Sequence, residues 1–324
     1  GVLRVFPWHI GASCGLASLK AQQAQYDDAE YLVQELLKDD ASATDALIEM
    51  GNLHRQQQHF HEAEKYYLAA ITRDPSNANA RFNHACCLQD RGQHAEAAQI
   101  LKEVLKINPT SEEVQVRLGR ACLKTGETAL ALELFRELSA QHPNRALSHI
   151  NLALALKSAD RTEETLSEFQ LATECSDANA EAWLGLAQTL EAGKRPNEAI
   201  NAYQLGLALS ASAPAYNKLG MLYLTNKRYE DAEDCFQLAI NIDPALANAF
   251  NNLGRLYREL GRLDDAAQSF RTAVEIKPSF VEARINLGMV LQLQLRFPEA
   301  LQCFELAIES DPSCARAYVK LGFI

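Results

Sequence analysis

Small residues recur every 34 positions along this chain of 324 residues, and that interval constrains the fold more than any other feature. Aligning Gly51, Gly119, Gly220, Gly254 and Gly288 sets repeats at 10–43, 44–77, 78–111, 112–145, 146–179, 180–212, 213–246, 247–280 and 281–314. Residues 1–9 form an N-terminal extension, and 315–324 open the first helix of a truncated tenth repeat. Only the sixth repeat departs from 34 residues, by one. A period of this length marks stacked helical units, none of which buries its apolar face alone.

Four positions within the repeat carry the pattern. Position 8 is glycine or alanine throughout: Ala17, Gly51, Ala85, Gly119, Ala153, Ala187, Gly220, Gly254 and Gly288. Position 20 is alanine except for Thr165. Position 24 is large and apolar, from Val33 and Tyr67 to Phe270 and Phe304. Position 32 is proline in six repeats, Pro75 to Pro312. Two helices of about twelve to fourteen residues, apolar at helical spacing, account for each unit. Packed helices lie roughly 8–10 Å apart, so their closest crossing admits only small side chains. Positions 8 and 20 mark that crossing, position 24 fills the groove toward the next repeat, and proline stops the second helix.

This set resembles the tetratricopeptide repeat, and the resemblance covers residues 10–324. It implies an all-α fold, a right-handed α-solenoid superhelix of helix-turn-helix units, whose first helices line a concave groove. Repeats five and six have Asp177 and Ala211 where proline is usual, so a softer joint is expected between 146 and 212. The chain stops at Ile324 without a polar capping helix, which predicts either continuation of the natural chain or self-association through the uncapped end.

Within the groove, position 6 carries Asn83, Asn151, Asn252 and Asn286, with Lys218 and Lys320 elsewhere. An amide both donates and accepts, so such a row can hold a peptide backbone. The row is similar to the asparagine ladder of O-linked N-acetylglucosamine transferases, although Glu49, Arg117 and Gly185 interrupt it. Position 5 supplies an apolar stripe, Ile48, Phe82, Val116, Ile150 and Leu184, before turning polar at Asn217 and Asn251. The C-terminal part is basic, with Lys218, Arg255, Arg258, Arg316 and Lys320 diluted by Glu259 and Glu282. Asn248, Asn252, Asn286, Arg316 and Lys320 resemble the carboxylate clamp of chaperone-binding repeats, with Asn248 where the clamp has lysine. An acidic segment or a free C-terminus is the ligand this arrangement implies.

Composition narrows the remaining classes. A net charge of −11 opposes general nucleic-acid binding, and no apolar run is long enough to span a membrane. The eight cysteines form no C-x-x-C pair and read as reduced core thiols, so a cytoplasmic address is expected. Ile10 to Cys14 faintly resemble a lipoprotein cleavage box with Gly11 in place of leucine, which makes a periplasmic lipoprotein the alternative. His54, His59 and His61 read as turn and core histidines, and no metal or other cofactor is expected. The acidic pairs Asp27-Asp28, Asp39-Asp40 and Asp264-Asp265 fall at helix ends and suit capping, not catalysis. No phosphate loop or nucleophile elbow is present. The expected function is a non-enzymatic scaffold that binds peptide segments of partner proteins. The alternative is the substrate-recruiting part of a larger enzyme such as a glycosyltransferase.

Overall fold

The computed structural model describes residues 10–39 and 43–322. The extension at 1–9 lies outside that range, as do Asp40 and the side chain of Asp39. Among the described residues nineteen helices follow one another. In the first half they are α1 (Ile10–Gln22), α2 (Tyr26–Asp39), α3 (Thr44–Gln56), α4 (Phe60–Arg73), α5 (Ala78–Asp90), α6 (His94–Ile107), α7 (Glu112–Thr125), α8 (Thr128–Gln141) and α9 (Ala146–Ser158). The rest are α10 (Thr162–Glu174), α11 (Ala180–Ala192), α12 (Pro196–Leu209), α13 (Ala213–Thr225), α14 (Tyr229–Ile242), α15 (Ala247–Glu259), α16 (Leu263–Ile276), α17 (Val281–Leu293), α18 (Phe297–Ser310) and α19 (Ala315–Leu321). The described residues contain no strand.

The chain divides into two compact units between Thr165 and Leu166. In unit 1 each helix packs on its neighbour in sequence, and the first helices α1, α3, α5, α7 and α9 also touch in succession. Unit 2 repeats this arrangement, with α13, α15, α17 and α19 in contact one after another. Each unit is therefore a solenoid whose first helices build a wall, running from α1 to α9 in unit 1 and from α13 to α19 in unit 2.

Steric fit at position 8 holds each pair together. A methyl group on Gly119 would lie 2.4 Å from Phe135 Cζ, and one on Gly254 would lie 2.8 Å from the Phe270 ring. The bulky position 24 thus rests on position 8 of its own repeat, a shorter reach than the spacing suggested. Phe169 follows the longer path, since a methyl on Gly185 of the next repeat would meet its ring at 2.2 Å. Thr165, the one position 20 that is not alanine, is 1% exposed and donates its hydroxyl to the Arg161 carbonyl at 2.9 Å. The polar atom is thereby satisfied without a neighbouring side chain.

Both turns have a chemical cause. Second helices end just before proline, and the preceding residue takes the extended backbone that proline demands, as at Asp74 (φ −131°, ψ 91°). Asp74 then accepts from the Ser76 amide at 3.0 Å and its hydroxyl at 2.7 Å, and Asp311 does the same with Ser313. These bonds hold both carboxyls below the ordinary aspartate range. The turn between paired helices places position 15 in the left-handed region in all nine repeats, from Ala24 (φ 60°) to Leu295 (φ 60°). Only Gly92, Gly126 and Gly261 meet that requirement without a side chain.

Candidate peptide-binding surfaces

Unit 1 offers apolar clefts along the wall of first helices. One of about 280 Å³ is lined by Ala78, Asn79, Phe82, Val104, Asn108, Ser111, Glu113 and Val114. Phe82 is half-buried against the core, which leaves part of its ring to floor the cleft. One repeat further, Glu112, Glu113, Val116, Arg117, Arg145 and Leu147 line a second cleft in the same register, of about 360 Å³. Its rim is charged: Glu112 pairs with Arg145, and His142 Nε2 stands 3.6 Å from Glu112.

The apolar stripe is therefore not uniform. Phe82, Val116 and Leu184 retain exposure, whereas Ile48 is 4% exposed and Ile150 fully buried. Ile48 belongs to the core with Tyr67 and Ala70, so packing claims the side chains at those two positions. Leu184, in unit 2, packs close to Gly206, where a methyl would lie 2.9 Å from Leu184 Cδ2.

The asparagines have a more specific role than a polar lining. In unit 2 the position-6 amide of one repeat donates to the position-5 amide of the repeat before it. Asn252 Nδ2 reaches Asn217 Oδ1 at 2.9 Å, and Asn286 Nδ2 reaches Asn251 Oδ1 at 3.0 Å. All four asparagines are at most 9% exposed. Each donor's oxygen is engaged as well: Asn252 Oδ1 accepts from Arg255 at 3.4 Å, and Asn286 Oδ1 from Arg316 at 3.2 Å. The amides expected to meet a polypeptide are thus committed to rungs between first helices, and the arginines they orient carry the free donors.

Where position 5 is apolar, the rung is missing. Asn151 has Val116 at the matching place, and its Nδ2 is buried without a hydrogen-bond partner among the described residues. Its oxygen accepts from Arg120 Nε at 3.2 Å and Nη2 at 3.1 Å. Asn83, opposite Ile48, is half-buried and turns its amide to Asn79 Oδ1 on its own helix at 3.0 Å. Pairs of asparagines 35 residues apart are the sequence signal that could have revealed the position-5 partnership. Arg120 and the cleft residues Asn79 and Asn108 carried no such signal.

Arg255 and Arg258 lie three residues apart on α15, while Arg316 reaches in from α19. Arg255 and Arg316 also place a guanidinium nitrogen 3.6 Å from Met221 Sδ and Met289 Sδ respectively. Burial, then the charge of Arg255, holds Arg258 below the usual arginine range; Glu259 opposes this and Arg316 adds to it. Lys320 is half-buried and Asn248 exposed beside this cluster in sequence order. Lys218 stands apart, exposed and paired with Glu191 at 3.3 Å.

His54 stacks on Tyr66 with ring centroids 5.3 Å apart, and no three His, Cys, Asp or Glu among the described residues cluster as metal ligands do. Cys86, Cys87, Cys122 and Cys235 are buried, and the other four cysteines are half-buried. Asp28 pairs with Lys20 and Asp265 with Arg262, both in the first turns of their helices. No described helix is long and apolar enough to cross a membrane.

Stacked helix pairs with a wall of first helices define a class, the helical-repeat proteins that serve as interaction scaffolds. Family models described as tetratricopeptide repeat match residues 48–112, 88–157, 211–279 and 251–313. The chain belongs to the tetratricopeptide-repeat family. No curated protein matches it. Among solved structures it is similar to a tetratricopeptide repeat protein from Parabacteroides merdae, at 16% identity and TM-score 0.61, over 76% of this chain and 98% of that one. YrrB, described as a TPR protein with an unusual peptide-binding site, matches at 22% identity and TM-score 0.51, over 58% and 98%. MamA matches at 25% identity and TM-score 0.48, over 51% and 97%.

Proposed function

We propose that this chain is a scaffold that captures peptide segments of partner proteins along its walls of first helices. The repeat division at 10–43 through 281–314 is the register in which those walls are read. The observation that carries the reading is the pair of clefts in unit 1. They recur in one register, with Phe82 and Val116 partly exposed in them and the polar side chains of Asn79, Asn108 and Ser111 around the first. Apolar anchors beside amides suit an extended segment, which needs one side-chain pocket and partners for its backbone. In unit 2, Asn248, Lys218, Lys320 and the asparagine-held arginines favour an acidic stretch or a terminal carboxylate. A preformed wall limits the ordering cost to the ligand.

Display of a random peptide library against the immobilised chain tests this. Peptides with an apolar anchor should be enriched, and Phe82→Ala should weaken them at least tenfold while the helical circular-dichroism signal is retained. Absence of enrichment over blank matrix would retire the proposal. So would binders indifferent to both Phe82→Ala and Val116→Ala.

A further inference from the structure

Six of the nine arginines in unit 2 are engaged by carboxylates or backbone carbonyls. Arg195, Arg228, Arg262 and Arg296 each bridge to a carboxylate three residues on, Arg271 lies 3.8 Å from Glu299, and Arg284 donates to backbone carbonyls. Arg255, Arg258 and Arg316 differ. No carboxylate among the described residues is hydrogen-bonded or ion-paired to any of them, although the chain carries 42 acidic residues against 31 basic ones. Glu259 sits next to Arg258 and exposed Glu282 lies on the intervening α17, yet neither closes on the guanidinium groups.

Like charges gathered without counter-charge repel, so an arrangement that holds them in place calls for an anion. Here the holding is built: Asn252 and Asn286, 8% and 2% exposed, are fixed by Asn217 and Asn251 and direct Arg255 and Arg316 through their oxygens. Arg258, half-buried on α15, has no hydrogen-bond partner among the described residues and offers five donors. We infer that Arg255, Arg258 and Arg316 bind the dianionic phosphate monoester of a phosphorylated side chain on a partner peptide. The inference rests on the peptide-scaffold reading for the source of the phosphate, while the anion chemistry stands on the arginines alone. A phosphate offers three acceptor oxygens and a charge of about −2 at neutral pH, which suits the forked donors and the positive charge of guanidinium groups. A carboxylate brings one charge and two oxygens, and leaves the cluster under-neutralised.

The test is fluorescence anisotropy with three peptide libraries of randomised flanks, identical except for a central phosphoserine, glutamate or serine. The phosphoserine library should bind at least tenfold more tightly than either control. Its binding should weaken as pH falls from 7 to 5, because the phosphate loses its second charge near pH 6. Arg258→Gln and Arg316→Gln should each lower phosphoserine binding at least tenfold, and Arg258→Lys should restore only part of it because the fork is lost. Equal binding of the phosphoserine and glutamate libraries would overturn the inference, as would an Arg258→Gln protein that folds and binds normally. Inorganic phosphate competing at concentrations equal to the peptide would assign the site to free phosphate and remove the peptide source. Unit 1 supplies the separation from the scaffold reading: loss of phosphoserine preference with intact Phe82-dependent binding defeats this inference only.

Discussion

At the scale of single residues, the asparagine rungs decide how first helices are joined. A buried amide without a partner forfeits its hydration, so the same side chain stabilises or burdens the wall according to what stands 35 residues earlier. Asn217→Val removes the acceptor of Asn252 and should cost about 1–3 kcal/mol, read as a drop in the urea midpoint. Val116→Asn gives the orphaned Asn151 amide an acceptor, and should leave stability unchanged or raised despite the loss of a half-buried isopropyl group. If both changes destabilise equally, the rungs contribute nothing specific. Asn252 and Asn286 were legible from the sequence as a row, because a repeated polar residue on an apolar face stands out. That their amides point at Asn217 and Asn251 was not, since the row itself does not say which neighbouring position answers it.

At the scale of elements, the turn inside each helix pair is the strained point. Position 15 sits at positive φ in nine repeats, and six of those residues carry a side chain. Left-handed backbone costs an L-residue roughly 1–2 kcal/mol. Leu295 is 73% exposed, so little packing offsets that penalty. Leu295→Gly should raise stability by about 1 kcal/mol, visible as a higher melting temperature; an unchanged or lower one would mean that the turn relaxes around its side chain. The contrast in legibility is physical. Positions 8 and 20 announced the helix crossings because a contact that excludes a methyl leaves only glycine and alanine, as Gly119 under Phe135 shows. Position 15 announced nothing because the backbone tolerates Ala24, Lys194 or Leu295 at a penalty spread over the repeat. The length of position 24's reach was likewise hidden, since the spacing fits a ring facing either way.

For the molecule as a whole, thiols distributed through both units link stability to alkaline pH. Burial pushes Cys14, Cys87 and Cys122 up to about 11 and Cys235 up to about 12, from a free thiol's 9.0. Tyr67 and Tyr203 are raised for the same reason. The unfolded chain releases the thiol protons near pH 9 and the phenol protons near pH 10, while the folded chain keeps them. The contribution is therefore fully present below pH 9 and is lost as pH rises toward the folded values. Each group can remove up to about 1.4 kcal/mol per pH unit in that window. Urea midpoints should fall between pH 9 and pH 10.5, and Cys122→Ala should flatten the decline; a midpoint that holds steady would contradict the burial of these groups.

The rungs also bear on how such an array lengthens. Residues 247–280 carry both halves of the connection: Asn251 receives from the repeat that follows, and Asn252 gives to the repeat before. A tandem duplication of that block would insert with both seams wired. The copy's second asparagine would find Asn251, and Asn286 would find the copy's first. Growth by gene duplication thus needs no compensating change at either junction.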